Sequence, residues 1–211
     1  MRVELLDHTK LSNGVIGLRN CWQSYGKGGN YSEATDDITD VDKDFLDRII
    51  NKHFHETGAE FMTYVFKIHG ISIGCLGQLT RHRHASFLVK STRYCKAEES
   101  VLTGDPDIDN MVKLSIARAG GFKTSNDISK YALPQGTSTD VVMSINMRSL
   151  FNFLELRCDP HAHFEIQELA HKIFDQLPKQ HKYLVAHCVV GSPEWKESCR
   201  TKAEQLLKKS K

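Results

Sequence analysis

The chain has 211 residues, 40% hydrophobic and 26% charged, proportions that exclude a disordered protein, a collagen and a coiled coil. Its 28 basic and 26 acidic residues leave a formal net charge of only +2, which argues against a general nucleic-acid binder and for local capture of any anion. At roughly 150 residues per domain the length allows one or two domains. The simpler expectation is a single domain over residues 1–211, able to bury about 70% of its unfolded surface without crosslinks or a structural metal.

Residues 1–10 include Arg2, Glu4, Asp7, His8 and Lys10 and hold no apolar h-region, so no secretory signal is expected. The six cysteines form no CxxC pair, which leaves a zinc ribbon and a thioredoxin motif without support. Reduced thiols and the lack of an 18-residue apolar run point to a soluble cytoplasmic protein without a membrane partner. Gly26 to Asn30 reads as a flexible loop, and Thr39-Asp40 as the cap of a helix from Val41 to Phe54. Phe61 to Ile73 is rich in β-formers and is predicted as a strand; Gly74 to Ser91 reads as a helix followed by a loop. Between 99 and 130 the only signals are turns at Gly104-Asp105-Pro106 and Gly120-Gly121. Asp140 to Val142 is predicted as a short strand, and Ile145 to Cys158 as a helix. Asp159-Pro160 breaks it, and Phe164, Leu169, Ile173 and Leu177 mark a second helix ending at Pro178. The fold class is α+β with helices in the majority.

Two clusters carry the chemistry. Arg81-His82-Arg83-His84 is followed by Ser86, Lys90, Ser91, Thr92, Arg93 and Tyr94. Guanidiniums beside hydroxyls suit a phosphate or pyrophosphate, because arginine donates through a planar fork. A solvated basic face is the plainer explanation, but Ala85, Phe87, Leu88 and Val89 interleave the run. The second cluster is Asn146, Arg148, Ser149, Asn152, Arg157 and His161. Arg148 and Asn152 are four apart and share a helix face, and with Glu155 the only acid that face is rich in donors.

These blocks resemble the flavin-dependent thymidylate synthases (ThyX family). Arg81-His82-Arg83, seven residues and Ser91 match the family's RHRX7S signature. Asn146-Met-Arg148-Ser-Leu150, Asn152-Phe-Leu154, Leu156-Arg157 and Asp159-Pro-His161-Ala162 resemble its NARSLxNFLxLRxDxHA segment. His55-Glu56-Thr57 with Glu60, Cys21-Trp22 and Lys130-Tyr-Ala-Leu-Pro134 resemble flanking elements, and the likeness covers most of residues 15–185. The chain departs from the common pattern at Leu88, Val89 and Lys90, at Phe61 and at Ile73, and nothing carries over onto residues 98–128.

The resemblance implies a central antiparallel sheet with long helices, assembled as a homotetramer with shared active sites. It implies reductive methylation of dUMP to dTMP by an FAD-dependent methyltransferase, with 5,10-methylenetetrahydrofolate as carbon donor and NADPH as reductant. Carried over residue by residue, Thr57, Arg81, His82, Arg83, Asn146, Arg148 and Asn152 would hold FAD. Gln78, Arg81, Val89, Lys90, Ser91, Thr92, Arg93, Lys130 and Arg157 would hold dUMP. Arg157 and Ser91 are the candidate catalytic residues: Arg157 for charge developing on the uracil ring, Ser91 for a phosphate or ring hydrogen bond, since no paired base marks it as a nucleophile. Cys158 reads as a small buried thiol.

Other readings stay open at this level. The family also admits a member that modifies another pyrimidine nucleotide at C5. The pairs His53/His55, His82/His84 and His161/His163 raise a His-rich metal enzyme, which needs strands to converge each pair on one ion. RHRH with the lysine-rich end from Lys202 to Lys211 raises a nucleotide or RNA binder, which the near-neutral charge disfavours.

Overall fold

A computed structural model describes residues 1–53, 55–189 and 191. In chain order the elements are β1 (Arg2–His8), α1 (Leu11–Cys21), α2 (Asp40–Asp47) with a π-helical turn Arg48–Lys52, α3 (Thr57–Glu60), β2 (Thr63–Ser72), α4 (Ile73–Leu79) and β3 (Ala85–Val89). They continue as α5 (Pro106–Gly120), α6 (Asn126–Ser129), β4 (Ser138–Asn146), α7 (Met147–Arg157), α8 (Phe164–Gln176) and α9 (Lys182–Val185). The four strands form one antiparallel sheet in the order β1-β2-β4-β3. Strict alternation defines its centre: Tyr64, Phe66 and Ile68 of β2 and Thr139, Val141, Met143 and Ile145 of β4 are buried while their neighbours are not. Among the described residues no helix is long and apolar enough to cross a membrane.

The predicted strand from Phe61 to Ile73 and the two predicted helices flanking Asp159-Pro160 are present as β2, α7 and α8. Thr39 caps α2 as expected, its hydroxyl accepting from Asp42 N at 3.3 Å. Other expectations change. The helix from Val41 is α-helical only to Asp47 and then widens into the π-helical turn, and its predicted end, Phe54, lies outside the described residues. The loop expected after α4 contains strand β3, and β4 is nine residues long, not three. The turn signals near 104 and 120 are the two ends of α5: Asp105 accepts from Asp107 N and Ile108 N, Pro106 opens the first turn and Gly121 closes the last. The sequence reading assigned neither α1 nor β1. Gly14 and Gly17 interrupt the apolar rhythm of the first, and only Val3 is buried in the second.

Contacts divide the chain into two units, Met1–Glu4 with Phe66–Met143 and Leu5–Val65 with Ser144–Lys211. In the first, Ile71, Cys75, Leu79, Val112 and Ile116 are buried. In the second, Leu11, Val15, Leu46, Ile50, Leu150, Phe153, Ile166 and Leu169 are.

Two carboxylates, one buried and one partly buried, organise the second unit. Asp42 is inaccessible to solvent; its Oδ1 accepts from Arg19 Nε at 2.8 Å, its Oδ2 from Gly29 N at 2.8 Å, Tyr31 Oη at 2.6 Å and Thr39 Oγ1 at 2.9 Å. Burial alone would raise its pKa, but the bonds from Tyr31, Gly29, Arg19 and Thr39 prevail and hold it below the usual range. The segment predicted as a flexible loop is therefore tied down. A Cβ at Gly28 would collide with the Asp42 carboxylate and the Arg19 guanidinium, so glycine is required there.

The second hub is Asp36, bonded to His181 Nε2 at 2.8 Å, His8 Nε2 at 2.7 Å, Leu11 N at 3.0 Å and Lys10 Nζ at 3.1 Å. Tyr64 Oη lies 2.8 Å from His181 Nδ1. Burial works against the Asp36 charge, yet these partners hold its carboxyl far below the usual carboxylate range. Burial also lowers the pKa of His181 from 6.5, against the pull of Asp36.

Two measurable consequences follow. Asp42→Asn leaves the Arg19 charge buried and uncompensated and should cost about 3–5 kcal/mol, read as a lower denaturant midpoint; no change would refute the hub. The unfolded chain should take up a proton on His181 before the folded one as pH falls below 6.5. Melting temperature should therefore drop between about pH 7.5 and pH 5, and His181→Gln should flatten that drop.

Candidate functional site

In the first unit, Gln78 lies in the last turn of α4 and Arg81-His82-Arg83-His84 form the turn into β3. His82 is buried at 7% exposure, whereas Arg81, Arg83 and His84 are exposed. Among the described residues no carboxylate pairs with Arg81 or Arg83. Val89 ends β3, and the Lys90 amide donates to Asp140 O at 2.9 Å, which anchors the start of the next turn. That turn, Ser91 to Cys95, closes on itself: Cys95 N donates to Ser91 O at 3.0 Å and Arg93 N to Ser91 Oγ at 3.3 Å.

The short helix α6 holds the same turn. Asn126 Nδ2 donates to Arg93 O at 2.9 Å, and Asp127 pairs with Arg93 Nε at 3.0 Å and with Lys130 Nζ at 3.4 Å. The structure thus brings together Arg93 and Lys130, 37 residues apart in sequence, by placing one carboxylate between them. Thr92 and Lys130, with Lys96, Lys113 and Asn126, line a cavity of about 510 Å3. The sequence reading named neither Asn126 nor Asp127. The only signal was the i,i+3 spacing of Asp127 and Lys130, which is informative once a helix is known to carry it.

In the second unit, α7 buries Met147, Leu150, Phe151, Phe153 and Leu154 and exposes Arg148 and Asn152 one turn apart, as their spacing predicts. Asn146 is the N-cap of α7, its Oδ1 accepting from Ser149 N at 2.9 Å. This fixes the side chain and leaves its amide NH2 as the donor it can offer. Arg148 pairs with Glu60 and, at 3.4 Å, with Glu56. The motif residues around Thr57 therefore meet the α7 arginine, and an anion reaching Arg148 competes with two carboxylates. Thr57 opens α3 and is exposed; Arg157 ends α7, half-buried.

None of the three His-x-His pairs lies on a strand. His163 caps α8 by accepting from Glu165 N at 3.4 Å, and His161 bonds to Asp159 at 2.9 Å. Among the described residues the grouping with metal-ligand spacing is His8, Asp36 and His181, none of them in such a pair. The Lys10 ammonium sits 3.1 Å from Asp36 there, and the hydrogen bonds described above account for the cluster. The lysine-rich end from 202 to 211 lies outside the described residues.

Cys158 is buried at 2% exposure, and burial pushes its thiol up to about 12. Such a thiol is protonated at neutral pH and a poor nucleophile. Brief alkylation of the native protein at about pH 8 should label the exposed Cys21 and Cys95 and spare Cys158; rapid labelling at Cys158, read by mass spectrometry, would contradict this.

The fold is α+β, with two segments rich in cationic and amide donors. The family described as thymidylate synthase complementing protein matches residues 4–181. A flavin-dependent thymidylate synthase of Campylobacter jejuni is 38% identical over 212 aligned residues, covering 90% of this chain and 98% of that one. The enzyme of the same description from Wolinella succinogenes is 37% identical, covering 87% and 97%. Thymidylate synthase X (ThyX) from Helicobacter pylori, solved with FAD and dUMP, superposes with a TM-score of 0.81 at 33% identity, covering 90% of this chain and all of that one. The chain belongs to the thymidylate synthase complementing protein family, the flavin-dependent thymidylate synthases.

Proposed function

We propose that this chain, acting as one domain in a cytoplasmic homotetramer, is a flavin-dependent thymidylate synthase. It converts dUMP to dTMP with FAD as cofactor, methylenetetrahydrofolate as carbon donor and NADPH as reductant. The observation that carries the reading is the Arg81-His82-Arg83 to Ser91 block together with the Asn146 to Arg157 block, in a chain of this family and fold.

The donor set fits the ligands. Arg81 and Arg83 are guanidiniums without carboxylate partners among the described residues, which suits the diphosphate of a flavin dinucleotide. His82, Thr57, Asn146, Arg148 and Asn152 supply further donors to that cofactor. When bound, the flavin supplies hydride chemistry; the chain's part is to orient ligands and set the local field. Arg93 and Lys130, with Ser91, Thr92, Lys90 and Gln78, receive the nucleotide, whose phosphate takes over the counter-charge that Asp127 provides. Arg157 stabilises negative charge developing on the uracil ring, the kind of preorganised interaction that contributes most to many rate enhancements. No cysteine attack is required, in keeping with the buried Cys158 thiol.

The test is the absorption spectrum of the purified protein with and without dUMP, with native mass. The expected result is a flavin spectrum perturbed by dUMP in a particle of about four chains; a colourless protein that FAD cannot reconstitute overturns the reading. Arg93→Ala and Lys130→Ala should each weaken dUMP binding by on the order of 1.5–3 kcal/mol while sparing FAD, measured by titration calorimetry. Lys130→Ala should be the milder, since lysine makes a point contact without a fork. Arg157→Lys should retain part of the dUMP binding but lose most turnover, whereas Cys158→Ala should form dTMP near the parent rate. An inactive Cys158→Ala that folds and binds both ligands would exclude the thiol-independent mechanism.

A further inference from the structure

Helix α5 packs Val112, Ile116 and Ala119 inward and leaves an apolar seam in solvent on its far side, where Met111 is 70% and Leu114 71% exposed. Asp107, Asn110, Met111, Leu114, Ser115 and Arg118 line a groove of about 440 Å3 along that side. Among the described residues, Asp107 and Arg118 have no ion-pair or side-chain hydrogen-bond partner. None of the roles assigned above uses these side chains.

The order of residues along the groove is self-complementary. Asp107, Met111, Leu114 and Arg118 follow one another at intervals of four, three and four, which keeps them on one stripe of an α-helix. About the point midway between Val112 and Lys113 the six residues form pairs: Asp107 with Arg118, Asn110 with Ser115, Met111 with Leu114. Acid is matched to base, amide to hydroxyl and one flexible apolar side chain to another. A two-fold axis through that point, perpendicular to the helix, lays a second copy antiparallel to the first and makes each of these pairs twice.

The helix macrodipole explains an acid in the first turn and a base in the last. It does not explain why the two share a stripe with the exposed apolar pair between them. Exposed apolar side chains scattered singly are ordinary, whereas two flanked by unpaired opposite charges have the anatomy of a small interface, apolar at its centre and polar at its rim. At the rise of an α-helix the seam runs roughly 16 Å from Asp107 to Arg118. Three turns of one helix bury less than the roughly 1,000 Å2 that a free-standing interface needs, so the contact belongs within a larger assembly.

We propose that the outer face of α5 is a two-fold contact with the same face of a second copy of this chain, Met111 and Leu114 packing across the axis and Asp107 of each chain pairing with the partner's Arg118. The inference rests on the multi-subunit assembly proposed above, to which it assigns a surface. The segment it uses lies within residues 98–128, onto which the family pattern carries nothing.

The first experiment treats the full-length Arg118→Lys variant with a zero-length carbodiimide, which joins a carboxylate to an amine in direct contact, and maps the products by mass spectrometry. Within one helix positions 107 and 118 are too far apart to meet, so an amide between them joins two chains. That crosslink is expected in Arg118→Lys and should vanish in Asp107→Asn/Arg118→Lys. The Asp47–Lys52 pair, 2.9 Å apart in one chain, reports that the reagent has acted. The second experiment follows sedimentation over a dilution series. Asp107→Arg and Arg118→Asp each set like charges against one another at both ends of the seam, and each should dissociate at a concentration roughly tenfold above the parent's. The charge swap Asp107→Arg/Arg118→Asp should return close to the parent. The swap opposes the macrodipole at both ends of α5, so an effect on helix stability would make it the poorest assembler of the three variants, whereas pairing makes it the best. The inference is overturned if Asp47–Lys52 reacts while 107–118 does not, or if the swap assembles no better than the single reversals. FAD content and dUMP affinity of the same proteins report separately on the proposed function: a 107–118 crosslink in a chain that binds neither ligand sustains the contact and counts against the function, and a flavin-loaded assembly without the crosslink does the reverse.

Discussion

The arrangement of the N-terminal half depends on where the Asp42 carboxylate spends its two oxygens. Arg19 from α1, Gly29 and Tyr31 from the intervening segment and Thr39 at the cap of α2 all converge on it. A buried ion pair of this kind contributes little net stability compared with apolar packing, but losing one partner is expensive. Its effect is to specify geometry: a segment with the glycines of a mobile linker is held in one conformation.

Asp36 has the corresponding role for the chain's distant parts. It joins His8 at the end of β1, the start of α1 at Leu11 and the C-terminal His181, which in turn reaches Tyr64 of β2. Four sequence regions meet through one carboxylate and one imidazole. The sequence offers no pattern for this, because each partner is a single polar residue with no periodicity around it. The His-x-His pairs were visible and have local roles, as a cap and a turn; the histidines that form the buried network are isolated in the sequence.

What was legible follows the same division between local and distant signals. The segments 61–73, 145–158 and 164–177 were readable because apolar residues repeat at the period of one element, and Thr39 because a cap acts on amides within three residues. The Pro106 and Gly120-Gly121 signals were seen as turns, since the helix they delimit has a weak apolar face with Met111 and Leu114 exposed. β3 was missed because Leu88 and Val89 remain exposed and Arg83 to Lys90 is too mixed to alternate cleanly. At the candidate site, motif residues were found by their order along the chain. Their electrostatic partners Glu56, Glu60, Asn126 and Asp127 become assignable only when the fold places them.

Those partners sort the cations into two classes. Arg19 is neutralised permanently by a buried carboxylate. Arg93, Lys130 and Arg148 are met by exposed carboxylates, Asp127, Glu56 and Glu60, in pairs that contribute little to stability and exchange readily in water. In the function proposed above, an incoming phosphate would replace such a partner without leaving a buried charge behind. Arg81, Arg83, Lys27 and Arg48 have no such placeholder among the described residues. Attraction at these positions is undiminished and therefore of longer range, and it is screened most strongly by added salt. Under that proposal the two classes would select differently: the gathered pairs would favour a group able to displace a carboxylate from a fixed geometry, whereas the uncompensated cations would favour net negative charge.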